Sequence, residues 1–308
     1  MKLYFAPMEG ITPYVFRNIH NEMFGGCDAY YAPFIVPSEN ERITLKTLRD
    51  ILRKNNSAKV IPQILCNKPE AFVNFSEKLP YMCYDEINLN LGCPSGTVVK
   101  KGRGAGALKD TDSLDAFLNE IFEKSKIDIS IKTRSGFYEH EEFEELLRIF
   151  SKYPVKELII HPRVREEFYK GKANLAVFEK AYAGTKLKLC YNGDIWSLED
   201  YKNIANRFEK IDSVMIGRGA IKNPAIFREI KGGKPLETVE LVDFSKKLEE
   251  KYLEVLKSEV YTIHRLKEIW IFMMMNYPEE RKILKAIKKS LKLADLNNAI
   301  ESLPQLEK

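Results

Sequence analysis

Eight short apolar or β-branched runs recur along the first three-quarters of the chain with a nearly constant beat. They lie at 3–7 (LYFAP), 29–36, 59–65 (KVIPQIL), 86–92 (EINLNLG), 129–135 (ISIKTRS), 157–163, 188–194 and 213–219. Amphipathic stretches of helical period separate them, such as Glu142 to Phe150 and Leu198 to Phe208. Ser113, and Ser197 with Asp200 three residues on, are helix start signals. Strand starts fall 25–31 residues apart, close to the roughly 30 residues of a βαβ unit. Eight such units predict an α/β fold, a (β/α)8 TIM barrel, normally near 250 residues. One interval, between the fourth and fifth runs, stretches to 43 residues. Its surplus falls in the loop after strand four, and long loops in barrels tend to be functional.

The beat stops near Gly232-Gly233-Lys234-Pro235, which divides the chain into 1–233 and an all-helical C-terminal domain at 234–308. Helices are expected at 238–260, 262–276 and 281–303, with turns at Tyr277-Pro278 and around Asn297-Asn298. A 44% hydrophobic and 30% charged composition excludes a disordered or fibrous chain. No apolar run is long enough for a membrane helix, and Pro7 and Glu9 interrupt any secretory leader in MKLYFAPMEG. Five scattered cysteines without a CxxC pair suit neither a disulfide framework nor a zinc site; a cytoplasmic, metal-free protein is expected. A net charge of +5 permits an anionic partner without demanding one.

Barrel sites lie at the C-terminal ends of the strands, so what each strand delivers there is informative. In order these are Pro7-Met8-Glu9, Phe34, Gln63, Asn90 with Cys93, Lys132 with Arg134, His161 with Arg163, Asn192-Gly193-Asp194 and Gly217-Arg218-Gly219. The last two are either plain turns or, as neighbours on strands seven and eight, a phosphate site built from glycine backbone and Arg218. Lys132 suits an electron-rich ring or an oxyanion, or else a rim salt bridge. Gln63 offers donor and acceptor to a heterocycle edge. His161 is a rim histidine of open role.

Cys93 opens the overlong loop, LGCPSGTVVKKGRGAGALKD, where packing gives a cysteine no reason to be. Cys27, Cys66, Cys83 and Cys190 read instead as inert packing residues. A thiol of ordinary pKa, about 8.5, is an acid at neutral pH; the other option is a nucleophile with His161 as its base. No GxGxxG opening a helix after a strand, no GxxxxGK[ST] and no HExxH occurs, which argues against a Rossmann dinucleotide site, an NTPase and a zinc hydrolase.

APMEGITPYVFR at 6–17, PQIL at 62–65, NLNLGCPSGTVVKKGRGAGALKD at 88–110, IKTRSGF at 131–137, HPRVREEFYKG at 161–171, YNGD at 191–194 and MIGRGAIKNP at 215–224 together resemble the tRNA-dihydrouridine synthases. HRLKEIWIFMM in the tail resembles that family's RNA-binding helical domain. The resemblance implies an FMN-binding catalytic barrel at 1–233 and a tRNA-binding domain at 234–308. It implies reduction of the uridine C5=C6 bond in tRNA, with hydride from reduced FMN to C6, a proton from Cys93 to C5, and NADPH or NADH as the transient reductant. Pro7, Met8 and Glu9 would lie by the flavin ring, with Gln63 and Lys132 on its polar edge and His161 nearby. Asn192, Gly193, Asp194, Gly217 and Arg218 would hold the phosphate end, and Asn90 would orient the base. Where the family more often has glycine after the strand-six histidine, this chain has Pro162, which removes a backbone donor.

A base must leave the RNA stack to react, costing a few kcal/mol that phosphate contacts must offset. Candidate contacts are Lys100, Lys101, Arg103, Arg134, Arg163 and Arg165. In RKILKAIKKSLK at 281–292, Lys285, Lys288 and Lys289 stand apart from an apolar stripe of Ile283, Leu284, Ile287 and Leu291. Trp270 and the MMM run at 273–275 read as core. The expected protein is thus a monomeric tRNA-modifying oxidoreductase. Its rivals are a barrel resembling dihydroorotate dehydrogenase that acts on a free pyrimidine, against which the helical annex weighs, and a catalytically idle RNA-binding protein, against which Cys93 and Lys132 weigh.

Overall fold

Parallel pairing runs around a closed ring of strands in the computed structural model, which describes residues 1–37 and 44–306. The strands are β1 (Lys2–Phe5), β2 (Ala29–Tyr31), β3 (Val60–Ile61), β4 (Gln63–Ile64), β5 (Glu86–Leu91), β6 (Asp128–Gly136), β7 (Leu158–Val164), β8 (Leu189–Tyr191) and β9 (Ser213–Ile216). Their order is β3-β2-β1-β9-β8-β7-β6-β5-β4. Only Pro62 separates β3 from β4, and proline has no N–H for a ladder. The two ends of the order are therefore halves of one stave, giving eight staves and a TIM barrel. Ile35 bridges Ile64, carrying the second stave's pairing onto β4.

Except for β6 and β7, the staves are shorter than the apolar runs that announced them. Pro7, Gly92, Asn192 to Asp194 and Gly217 to Gly219 lie past the ladders, where the backbone is released to form the mouth. Side chains alternate along each stave. In β5, Ile87, Leu89 and Leu91 join the main core between sheet and helices, while Asn88 and Asn90 turn inward and bond to Gln63 on the neighbouring stave. Tyr4, Tyr31, Ile159, Cys190 and Met215 form a separate apolar layer within the barrel.

Helices of the expected kind fill the intervals, with some ends displaced. Ser197 caps the helix Leu198–Arg207 through Asp200 N–H, at 3.1 Å. In contrast, the helix expected to start at Ser113 begins a turn earlier: Asp110 is the cap of Thr111–Lys124 and accepts from Ser113 N–H at 3.0 Å. The long loop after β5 is itself folded, as the short helix Gly96–Val99 and a 3-10 stretch Gly104–Lys109.

The tail comprises helices Thr238–Leu256, Glu259–Met273, Arg281–Lys289 and Leu293–Glu301. Its first break falls at Lys257 and Ser258, not at Tyr261; Ser258 caps the second helix. The expected single helix over 281–303 is two. Its break lies at Ser290 to Lys292 rather than at Asn297-Asn298, because Ser290 turns extended and bonds its hydroxyl back to the Ala286 carbonyl at 2.9 Å. Leu291 consequently leaves the apolar stripe and is 82% exposed. Residues 307 and 308, the end of the expected 234–308 domain, lie outside the described residues. Phe244 packs edge-on against Phe16, with ring centres 5.5 Å apart, so the tail shares the barrel's core. Trp270 donates to Ser245 at 2.9 Å, and Met273 and Met274 are buried, while Met275 is exposed.

Candidate active site

The ends of β1, β6, β7, β8 and β9 open onto one cleft of about 490 Å³. Of the residues expected to hold a cofactor, Pro7, Met8, Lys132, His161, Asn192, Gly193, Asp194, Gly217 and Arg218 line it together. Glu9 and Gln63 do not. Glu9 faces a second cavity toward the tail. Gln63 is fully buried among the inward side chains, donating to Asn88 and accepting from Asn90, both at 2.8 Å, so both ends of its amide are already engaged.

At the glycine-rich corner, close packing forbids a side chain on Gly219 and crowds one on Gly217. A Cβ on Gly219 would fall 1.9 Å from the Ile195 carbonyl oxygen, and one on Gly217 3.2 Å from the Ala6 Cβ. Asp194 accepts from Arg163 at 2.5 Å, from Arg218 at 3.0 Å and from Ala173 N–H at 2.8 Å. Burial pushes its carboxyl up, but the hydrogen bonds from Arg163 and Ala173 and the two guanidinium charges outweigh that and hold it below the usual value. An anion in this position aims Arg218 rather than itself receiving a phosphate. Arg218 is clamped between Tyr169 and Trp196, 4.5 and 4.8 Å from the ring centres. These two aromatics also line the cleft and were missed from sequence, although Tyr169 sits within the HPRVREEFYKG motif.

Lys132 is half-buried and has no carboxylate partner among the described residues. Burial first, then the Arg134 charge, lowers its pKa to about 8. A rim salt bridge is therefore not its role; an unpaired cation here suits an electron-rich or anionic guest. His161 Nε2 accepts from Arg163 at 3.0 Å. Burial and the charges of Arg134, Lys132, Arg163 and Arg218 keep the imidazole well below its usual pKa and thus neutral. Pro162 lies within β7 with no N–H to donate, while its carbonyl accepts from Asn174 N–H at 2.7 Å.

Cys93 is half-buried and does not itself line this cleft, although the charges of Lys132 and Arg134 act on its thiol. Its backbone N–H donates to Asn90 Oδ1 at 2.9 Å, beside that of Gly92 at 3.0 Å. Ala105 N–H closes the loop onto the Cys93 carbonyl. Gly104, at φ +56°, packs so tightly there that a Cβ would approach the Cys93 oxygen to 2.8 Å. Burial raises the thiol pKa more than the Ser95 backbone N–H and the Arg134 and Lys132 charges lower it. The group is consequently a protonated acid at neutral pH. It makes no hydrogen bond to His161, which removes support for a thiolate–histidine pair. Asn90 spends its oxygen on the Cys93 loop and its amide on Gln63, so it positions the thiol.

Two of the expected RNA contacts are corrected. Arg134 and Arg163 are each only 1% exposed. Arg134 holds the carbonyls of Gly92, Val164 and Phe168, and Arg163 pairs with Asp194, because both lie on inward-facing strand positions. Arg165 is mostly covered by Phe137 and Phe168 and bonds Glu166. Lys100 and Lys101 are exposed, and Arg103 donates to Asn67. Lys285, Lys288 and Lys289 are exposed and enter no ion pair among the described residues. Of the cysteines read as packing residues, Cys83 is exposed, since Cys83 adopts φ +61° at the end of a surface 3-10 turn.

Fold and site define a barrel enzyme with its chemistry at the strands' C-terminal mouth. The family described as Dihydrouridine synthase (Dus) matches residues 4–302. A probable tRNA-dihydrouridine synthase of Staphylococcus epidermidis is 30% identical over 265 residues, covering 80% of this chain and 77% of that protein. The tRNA-dihydrouridine(16) synthase of Aquipseudomonas alcaligenes is 26% identical over 297 residues, covering 91% and 92%. Among solved structures, morphinone reductase matches with a TM-score of 0.51 at 10% identity, over 76% of this chain and 86% of that one. A 2-naphthoyl-CoA reductase matches at 0.57 and 11%, over 76% and 50%. At such identities these two speak for the fold alone. The chain belongs to the dihydrouridine synthase family, whose product is uridine reduced by two electrons.

Proposed function

We propose that this protein reduces the C5=C6 bond of uridine in tRNA to 5,6-dihydrouridine, with FMN as resident cofactor and NADPH or NADH as its reductant. The observation that carries the reading is geometric: Asn90, which pins the Cys93 backbone, pairs in register with Lys132, the uncompensated lysine of the cleft. The residues fit a flavin: Lys132 supplies the missing counter-charge, Pro7 and Met8 a nonpolar wall, and Gly217 with Arg218 a small-residue corner and a guanidinium for a phosphate. Bound FMN would supply the hydride for C6.

Cys93 donates the proton to C5, quenching the negative charge that arrives there. Asn90 keeps the thiol at the mouth by fixing two consecutive backbone N–H groups. Lys132 stabilises negative charge in the cleft, and the neutral His161 can donate from Nδ1 while Arg163 occupies Nε2. The exposed lysines of Arg281–Lys289 favour a polymeric substrate over a free pyrimidine, because a small neutral base needs no phosphate contacts.

The test is direct. Protein purified with FMN should show flavin absorbance bleached by NADPH and should form dihydrouridine in unmodified tRNA, read by mass spectrometry of the digested RNA. Flavin-free protein that cannot be reconstituted, or tRNA left unmodified by the flavin-loaded protein, would overturn the reading.

A further inference from the structure

A second cavity, of about 520 Å³, lies where the helical tail meets the barrel mouth. The barrel side contributes Glu9, Tyr14, Arg49 and Asp50; the tail contributes Tyr252 from its first helix and Arg265 from its second. Met8 lines the cofactor cleft and Glu9 lines this cavity, so the two spaces are separated by adjoining residues.

Tyr252 is 2% exposed, and its hydroxyl has no hydrogen-bond partner among the described residues. A buried, unpaired hydroxyl is destabilising, and phenylalanine would fill the same space without that penalty. The neighbouring cations are not saturated either. Arg265 uses one nitrogen for the Gly10 carbonyl, at 2.5 Å, and for Glu268, at 3.2 Å. Arg49 reaches Asp50 only at 3.8 Å. A guanidinium has five donors, so both retain capacity. Pro13, Tyr14 and Pro33 add flat apolar walls. Guanidinium groups beside carboxylates suit neither a bare anion nor an apolar guest. They suit a nucleotide, with its phosphate on arginine, its base against the ring faces and its donor groups on carboxylate.

We propose that this cavity is a subsite for a second nucleotide of the RNA, adjacent in the strand to the uridine that enters the cofactor cleft. The inference rests on the RNA–uridine reading above. Consecutive nucleotides are neighbours, as the two spaces are, and the Tyr252 hydroxyl gains its partner when the second one is seated.

The experiment uses the flavin-loaded full chain, unmodified tRNA, and the variants Tyr252→Phe and Arg49→Ala. Tyr252→Phe should unfold at an equal or higher temperature and keep NADPH-driven flavin bleaching, yet bind tRNA about tenfold more weakly, the loss of one buried hydrogen bond. Arg49→Ala should lower the slope of log K against log salt by roughly one phosphate contact. On a tRNA made abasic on both sides of the target uridine, the Tyr252→Phe penalty should vanish. Parental tRNA affinity and salt slope in both variants would overturn the subsite, as would an undiminished penalty on the abasic tRNA. Failure of the RNA reading itself is distinguishable, since the parent protein would then neither bind nor modify tRNA.

Discussion

The side-chain oxygen of Asn90 accepts the backbone N–H of Cys93 at 2.9 Å, while its amide donates to Gln63 at 2.8 Å. Gln63 donates to Asn88, Asn88 to Ser130, and Ser130 to Glu86, which pairs with Lys156. The thiol at the mouth is thereby registered against a polar chain that runs down the barrel interior to its far rim.

Removing the sulfur separates binding from chemistry. Cys93→Ala should retain flavin and bind tRNA as the parent does, while dihydrouridine formation falls by about 10²–10⁴, the usual worth of a positioned acid. Single-turnover assays on flavin-loaded protein measure this, and full activity in the variant would remove Cys93 as the donor.

Two groups govern the alkaline limb of activity. Lys132 holds its charge below a pKa of about 8, so affinity for anionic FMN should weaken as pH rises through that value. Cys93 donates only while protonated, and burial lifts it above the ordinary thiol value, so its limb lies higher. Lys132→Arg should abolish the lower fall in FMN titrations followed by flavin fluorescence and leave the upper fall in activity; an unchanged lower fall would assign it to another group.

The Cys93 loop depends on an acceptor and a glycine. Asn90→Ala orphans two N–H groups, at a cost of about 1–3 kcal/mol. Gly104→Ala forces a left-handed φ and a clash with the Cys93 carbonyl, costing about 1–3 kcal/mol. Denaturant unfolding should register both, and each should lower turnover more than tRNA affinity.

Asp194 links stability to pH. Its folded pKa lies below 3.8, so its contribution is present above that value and is lost as pH falls through the folded pKa. Asp194→Asn leaves Arg163 buried without its counter-charge and should cost about 3–5 kcal/mol at neutral pH. The gap between parent and variant in urea midpoints should narrow on acidification; a pH-independent gap would count against the ion pair as its source.

Replacing Lys285, Lys288 and Lys289 together by alanine should leave the melting temperature nearly unchanged, since all three are exposed and enter no ion pair among the described residues. Binding to tRNA should weaken and its salt dependence should flatten by about two to three phosphate contacts. Equal affinity at every salt concentration would put the RNA contact elsewhere.

Much of this was legible in the linear chain. The strand–helix beat, the strand-end chemistry and the displaced Cys93 are local or evenly spaced features, and local spacing is what a sequence displays. The helix break at Ser290 was missed because a serine hydroxyl returning to its own helix competes with the asparagine turn signal at Asn297-Asn298, and tertiary packing kept Leu293–Glu301 helical.

By itself, the order of residues determined the barrel, the helical annex, and which strand ends carry polar groups, because periodic burial follows from backbone geometry. Only the tertiary structure decided that Arg134 and Arg163 are interior struts, that Gln63 and Asn90 serve one another, and that Asp194 steers Arg218. Those assignments depend on which staves stand side by side and which side chains point inward. A charge or an amide takes its role from the neighbours that closure of the ring brings within hydrogen-bonding distance.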